Sequence, residues 1–305
     1  MPVHLPGYRS TVREYYMTSI KEPMIDIIQY TDPYCTWCWG SEPVMRHIEE
    51  AYQDQVRFSF VMGGLVEDAA AFQDPLNNIG GPQMAEQVAK HWEEASQRHG
   101  MPVDADVWLD MKDEFKSTWP ANIAFKAAQM QDEEKANRFL RRMREAAAAE
   151  HMFIHRREVQ SQLAAEAGLD PEQLIRDIES GAGEAAFMRD YAGCRDKDVT
   201  GYPSFRIRNR KGEEFMFFGF QPFSRFVELF GRLTGDRLMA REISSSDDEI
   251  TAFVRRHGKV AVREVAEVFS LKMSEARERL DRLADTGELE KRQAGNGWFY
   301  LTTPS

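Results

Sequence analysis

Two cysteines in the run Cys35-Thr36-Trp37-Cys38 are the residues of this chain best suited to chemistry. A Cys-x-x-Cys pair can carry out thiol–disulfide exchange, supply half of a tetrahedral zinc site, or simply pack. Exchange needs one thiol ionised at a helix N-terminus and a second about one turn later, close enough to close a disulfide. The flanking residues supply that setting. The apolar run Met24-Ile25-Asp26-Ile27-Ile28-Gln29-Tyr30 reads as a strand, and Val44, Met45, Ile48, Ala51 and Tyr52 recur at helical spacing. The pair therefore falls at a strand-to-helix junction, with Cys35 the attacking thiol and Cys38 the resolving one. Zinc and inert packing are the weaker readings. A structural zinc site takes four ligands, and beyond the pair the chain offers Cys194, seven histidines and no second Cys-x-x-Cys.

The rest of the chain reads as the scaffold for that junction. Val56, Phe58, Phe60 and Met62 alternate as a second strand that ends at Gly63-Gly64. From 67 to 184 the pattern is helical, and Asp170-Pro171-Glu172-Gln173 is a capped helix start. After 185 a helix, a turn at Val199–Pro203, strands at 204–208 and 214–218 around Asn209-Arg210-Lys211-Gly212, and a last helix complete an α/β unit. Residues 241–248 read as a linker whose Ser246-Asp247-Asp248-Glu249 starts another helix. Beyond it, three short helices and a hairpin around Gly295-Asn296-Gly297 resemble a winged helix-turn-helix module.

The strand, the Asp32-Pro33-Tyr34-Cys35-Thr36-Trp37-Cys38-Trp39-Gly40 core and the following Pro43 resemble the DsbA-like superfamily of thioredoxin-fold proteins, in particular its cytoplasmic branch of predicted protein-disulfide isomerases. Val61-Met62-Gly63-Gly64-Leu65 and Ser117-Thr118-Trp119-Pro120 add to the likeness. Tyr202-Pro203 is similar to the superfamily's cis-proline loop, with Tyr in place of a smaller apolar residue. The resemblance implies a thioredoxin-like α/β fold over 24–66 and 185–240, interrupted by an inserted helical domain over 67–184. An N-terminal arm (1–23) precedes it, and the linker and a winged-helix-like domain (249–305) follow. It also implies a protein thiol–disulfide oxidoreductase or isomerase with Cys35 and Cys38 catalytic. Trp37, Tyr202 and Pro203 would then contact substrate; Trp37 serves equally well as packing. Thr36-Trp37 lacks a cation that would lower a thiol pKa, so no strongly oxidising centre is expected. The alternative is a non-enzymatic redox-sensing adaptor or regulator that binds protein partners through the C-terminal domain.

Other features narrow the reading. A formal charge of −11 and a pI of about 5.3 argue against general binding to nucleic acid or anionic membranes. Ser245 to Ser305 carries ten basic and eleven acidic residues, and Glu275, Glu278, Asp281 and Asp285 interleave with Arg277, Arg279 and Arg282. A protein partner thus suits the tail better than DNA. No apolar run reaches the roughly 20 residues of a membrane span. Met1–Arg9 lacks a secretory signal pattern, which predicts a cytoplasmic protein. There is no convincing dinucleotide-binding, P-loop or Ser/His/Asp signature, so no cofactor and no metal are expected. Cys194 reads as a buried hydrophobe, and His151 and His155 as a pair on one helical face without a metal-binding carboxylate motif.

Overall fold

A computed structural model describes residues 23–303. The arm expected at 1–23 lies, except for its last residue, outside the described residues. Strand β1 (Ile25–Thr31) runs into helix α1 (Thr36–Tyr52), which carries Pro43 within it and leads to β2 (Val56–Met62). The insertion follows. It holds a small hairpin, β3 (Gln73–Asp74) and β4 (Ile79–Gly80), then α2 (Met84–His99), α3 (Val107–Asp110), α4 (Trp119–Gln131), α5 (Glu133–Ala149), α6 (Arg157–Glu166) and α7 (Pro171–Glu179). Helix α8 (Ala182–Asp196) leads back to β5 (Ser204–Asn209), β6 (Glu214–Phe218) and α9 (Phe223–Thr234). The last unit comprises α10 (Asp247–His257), β7 (Lys259–Ala261), α11 (Val262–Val268), α12 (Met273–Asp285), β8 (Leu289–Ala294) and β9 (Gly297–Thr302).

The main sheet has the order β2-β1-β5-β6. β1 is parallel to β2 and antiparallel to β5, with Ile27 opposite both Phe58 and Ile207. As an inner strand β1 buries both faces. Ile25 and Ile27 join Val44, Ile48, Phe226 and Phe230 in a core shared with α1 and α9. Ile28 and Tyr30 face Cys194 and Val199. This is the thioredoxin-like α/β arrangement expected from the sequence, with a large, mainly helical insertion. Side-chain caps start the helices where the sequence marks them: Asp170 accepts from Glu172 N and Gln173 N, and Ser246 accepts from Glu249 N.

The C-terminal unit has its own core around Phe253, Val265, Leu280 and Tyr300 and a sheet in the order β7-β9-β8. It is docked against the back of α1. Phe299, Ala261 and Ala294 enter the core of the insertion beside Trp39. The turn between β8 and β9 packs on Val103: Asn296 N donates to Val103 O (2.9 Å), and Val103 N donates to Asn296 Oδ1 (3.0 Å). Gly295 takes a φ of 47° there, and a side chain would meet the Val103 carbonyl.

Charge completes the docking. Glu50 on α1 binds Arg241 (2.7 Å), Arg256 (2.8 Å) and His257 (3.1 Å). Burial would raise the Glu50 carboxyl, but the hydrogen bonds from His257, Arg256 and Arg241 hold it down at about 2. An unfolded Glu titrates near about 4.3. The contribution of Glu50 is therefore fully present above about pH 4.3 and is lost as pH falls toward 2. Unfolding midpoints measured from pH 6 to pH 2 should drop below about pH 4.3, and Glu50→Gln should flatten that drop. A drop of the same size in the variant would show that other carboxylates set the acid limit.

Candidate functional site

Helix α1 begins at Thr36, which makes Cys35 its N-cap. The Cys35 Sγ accepts from Cys38 N (3.2 Å), filling one orphan donor of the first turn. Cys35 is 6% exposed and Cys38 is fully buried. The Tyr202–Pro203 peptide is cis, and the Tyr202 carbonyl oxygen lies 3.5 Å from Cys35 Sγ. That loop is pinned by Gly219 N donating to Pro203 O (2.8 Å) and by the Tyr202 hydroxyl donating to Gly63 O (2.8 Å). A Cβ on Gly63 would sit about 2.0 Å from Tyr202 Cζ and Oη, so glycine is what admits the phenol here. Cys35, Cys38, Tyr202 and Pro203 thus come together. Trp37 stands beside them, half-buried, with ring centroids 5.8 Å from His99, 6.3 Å from His91 and 6.2 Å from Phe220.

The electrostatics differ from those of an exposed attacking thiol. Burial pushes the Cys35 thiol well above its ordinary value, and the single N–H bond from Cys38 does not offset it. Burial opposes ionisation of Cys38 too, yet its hydrogen bond with Cys35, the Arg144 guanidinium and Thr31 bring that thiol below its ordinary value. The surroundings therefore favour ionisation of the inner sulfur over the outer one.

Several residues around the pair were not singled out from the sequence. Arg144 on α5 is one. It is buried, bonded to Thr31 Oγ1 and Glu42, and its signal in the sequence is only one arginine in a helix rich in them. Asp32 is another, and ties three elements together. It accepts from Tyr34 N, Leu65 N, Thr118 Oγ1 and Asn122 Nδ2, each at 2.8 Å. His99 is the third. Met101 N donates to its Nδ1 (3.0 Å), so the proton sits on Nε2 and points to Thr36 Oγ1 (3.4 Å). Burial and Arg263 bring its pKa down to about 4, leaving it neutral at pH 7. Gly40 lets that ring lie against α1, since a Cβ would sit 2.6 Å from it.

Cys194 is buried behind Tyr202. Burial and Asp190 push its thiol up to about 12, which suits a packed side chain. His151 and His155 lie in the loop between α5 and α6 rather than on a helix, and both bind carboxylates: Asp104 and Asp110 for His151, Glu114 for His155. Among the described residues no cluster of three or more His, Cys, Asp or Glu is placed to hold a metal ion. No helix among them is long and apolar enough to cross a membrane. A cleft of about 1110 Å³ opens behind the dithiol rather than at it, with Glu42, Arg141, Arg144 and Lys259 on its wall.

A family model described as thioredoxin matches residues 29–228. The chain is similar to "ClpXP adapter protein SpxH" of Halalkalibacterium halodurans, 29% identical over 92% of this chain and 90% of the relative. The protein of the same name from Bacillus subtilis is 26% identical over 92% of this chain and 89% of its own length. The solved structure of cytosolic disulfide reductase DsbM from Pseudomonas aeruginosa superposes with a TM-score of 0.54, 22% identity, and coverage of 68% of this chain and 100% of that one. That likeness speaks to the fold alone. The curated relatives correct one sequence expectation, that of a protein thiol–disulfide oxidoreductase enzyme. Relatives aligned over nine-tenths of the chain carry the name of an adapter rather than an enzyme. The burial of Cys35, which opposes its ionisation, runs in the same direction as that correction.

Proposed function

Because the chain belongs to the thioredoxin family and has a DsbA-like fold, we propose that it is a non-enzymatic, redox-sensing adaptor. It would bind a protein client and present it to the ClpXP protease in the cytoplasm. One observation carries this reading. The adapter relatives align over 92% of this chain and about nine-tenths of their own length, well beyond the stretch at 29–228 that the thioredoxin family model matches. The dithiol would then report redox state instead of turning over disulfides.

The partner surface belongs, on this reading, to the winged-helix-like C-terminal unit. A protein partner suits it better than DNA for a physical reason. The β8–β9 turn, where a wing tip would meet a duplex, is spent on Val103. Arg279 and Arg282 are paired with Glu275 and Asp247, which leaves fewer cations to neutralise phosphates.

The test compares binding of purified ClpXP by the wild-type chain and by a Cys35→Ser/Cys38→Ser variant, both in reductant. The expected outcome is binding of equal affinity, within about twofold, with no mixed disulfide trapped by Cys38→Ser. Non-covalent docking has no need of the sulfurs. No measurable binding, or binding that appears only as a reducible covalent adduct, would sink the reading.

A further inference from the structure

A line of buried charge runs from the first turns of the dithiol helix to the C-terminal unit. Arg144 lies at its inner end, bonded to the Thr31 hydroxyl at the end of β1. Its guanidinium also binds Glu42, which sits one helical turn beyond Cys38 on α1. The other oxygen of Glu42 binds Arg141 at 3.2 Å. Arg141 then holds Glu264 of α11 through two bonds, 2.9 Å and 3.2 Å. Glu264 is fully buried, also binds Arg46 (2.8 Å), and accepts from Ala261 N (2.7 Å) at the start of α11. Signs alternate along the line, and none of its side chains is more than 13% exposed. Charges so little exposed are less screened than surface pairs, and Glu42, Arg141 and Arg144 meet solvent only where they border the cleft described above. Two further donors beside Arg144, its own Nε and Gln29 Nε2, are buried without a partner among the described residues. The polar surroundings of Arg144 thus hold more donors than the fixed acceptors use, as a site does when it expects a negative charge.

We propose that Arg144, Glu42, Arg141 and Glu264 form a charge relay through which the redox state of Cys35 and Cys38 sets how tightly the C-terminal unit is held on α1, oxidation tightening the hold. The proposal rests on the redox-sensing reading above.

The sign follows from competition. A Cys38 thiolate shares Arg144 with Glu42, which frees Glu42 to compete with Glu264 for Arg141. A disulfide carries no charge, so Arg144 draws Glu42 in and Arg141 turns to Glu264. The oxidant is a low-molecular-weight disulfide such as glutathione disulfide. Cys35 passes its proton to the Cys38 sulfur and attacks one sulfur of the oxidant, breaking its S–S bond and releasing a glutathione thiolate. Cys38 gives its proton to that thiolate, attacks the Cys35 sulfur and expels the second glutathione as thiolate. The pair loses two electrons, and one glutathione disulfide becomes two reduced glutathiones.

Hydrogen exchange on the full chain tests the relay, in the dithiol form and after treatment with glutathione disulfide, with thiol titration confirming each state. Amides of β7 and α11 should exchange about fivefold more slowly after oxidation, a coupling of ordinary allosteric size. Glu42→Gln, close in shape but uncharged, should bring the two states within about twofold while the disulfide still forms. Arg144→Met should do the same where it folds. Equal exchange in the two states of the wild type, faster exchange after oxidation, or a fivefold difference that persists in Glu42→Gln would overturn the relay. Cysteines that both remain titratable after treatment would overturn the redox-sensing reading itself, and the relay with it.

Discussion

Glu264→Ala is expected to destabilise the protein by about 3–5 kcal/mol, the usual loss when one member of a buried ion cluster is removed. The size comes from what remains behind. Glu264 has no exposed surface, and its two oxygens serve Arg46, Arg141 and the Ala261 N–H. Arg46 is itself buried and Arg141 nearly so, so each would be left with an uncompensated charge in a poorly solvated place. Arg141 keeps Glu145 and Glu42, which bounds the loss. The start of α11 also loses its cap. Urea unfolding followed by tryptophan fluorescence reads the change, because Trp298 lies in the C-terminal unit and Trp39 at its border. The melting of that unit should separate from the rest. A loss below about 1 kcal/mol would place Glu264 among surface ion pairs, where cost is small.

Trp39→Ala is expected to cost about 3–5 kcal/mol, as large aromatic deletions in cores do. Trp39 follows Cys38 directly on α1 and is 1% exposed. Its Nε1 donates to Pro102 O (2.8 Å), Phe299 meets it edge-on at 6.2 Å, and the Arg141 guanidinium lies 4.5 Å over its ring. One side chain therefore joins the dithiol helix, the insertion and the C-terminal unit. Trp39→Phe should recover most of the packing and leave about 1–3 kcal/mol for the unpaired Pro102 carbonyl. Unfolding curves of the two variants check this. Equal losses would mean that the hydrogen bond carries the stability and the ring volume does not.

The sequence was most legible where the signal was local. The apolar run of β1, the alternation of β2, the caps at Asp170 and Ser246, and the Asn209–Gly212 turn all lie where their residue types place them. The Cys35–Cys38 spacing at a strand-to-helix junction located the candidate site, and Tyr202-Pro203 located the loop that faces it. Short elements escaped notice: β3, β4, α3 and β7 each span two to four residues, too few to show a period. Long-range pairing escaped for a different reason. Nothing in the run Arg141-Arg142-Met143-Arg144 says that Arg144 turns toward Cys38 while Arg141 turns toward Glu264 a hundred and twenty-three residues away. Gly295-Asn296-Gly297 announced a hairpin turn, yet its grip on Val103 depends on the insertion lying opposite. The same blindness explains the enzyme expectation. A Cys-x-x-Cys at a helix start favours a thiolate at the first cysteine, but only the folded chain reveals how deeply that sulfur is buried.

On the proposed function, the chain delivers a client to ClpXP without disulfide turnover. The most direct measurement is the rate at which purified ClpXP degrades a client co-purified with the full chain. The rate is taken with no adaptor, with the wild type and with Cys35→Ser/Cys38→Ser, all in reductant. Holding a client at the protease raises its effective concentration, so both forms of the chain should accelerate degradation by about tenfold or more, and to a similar extent. No acceleration by either form, or acceleration by the wild type that vanishes with the two sulfurs, would contradict the account.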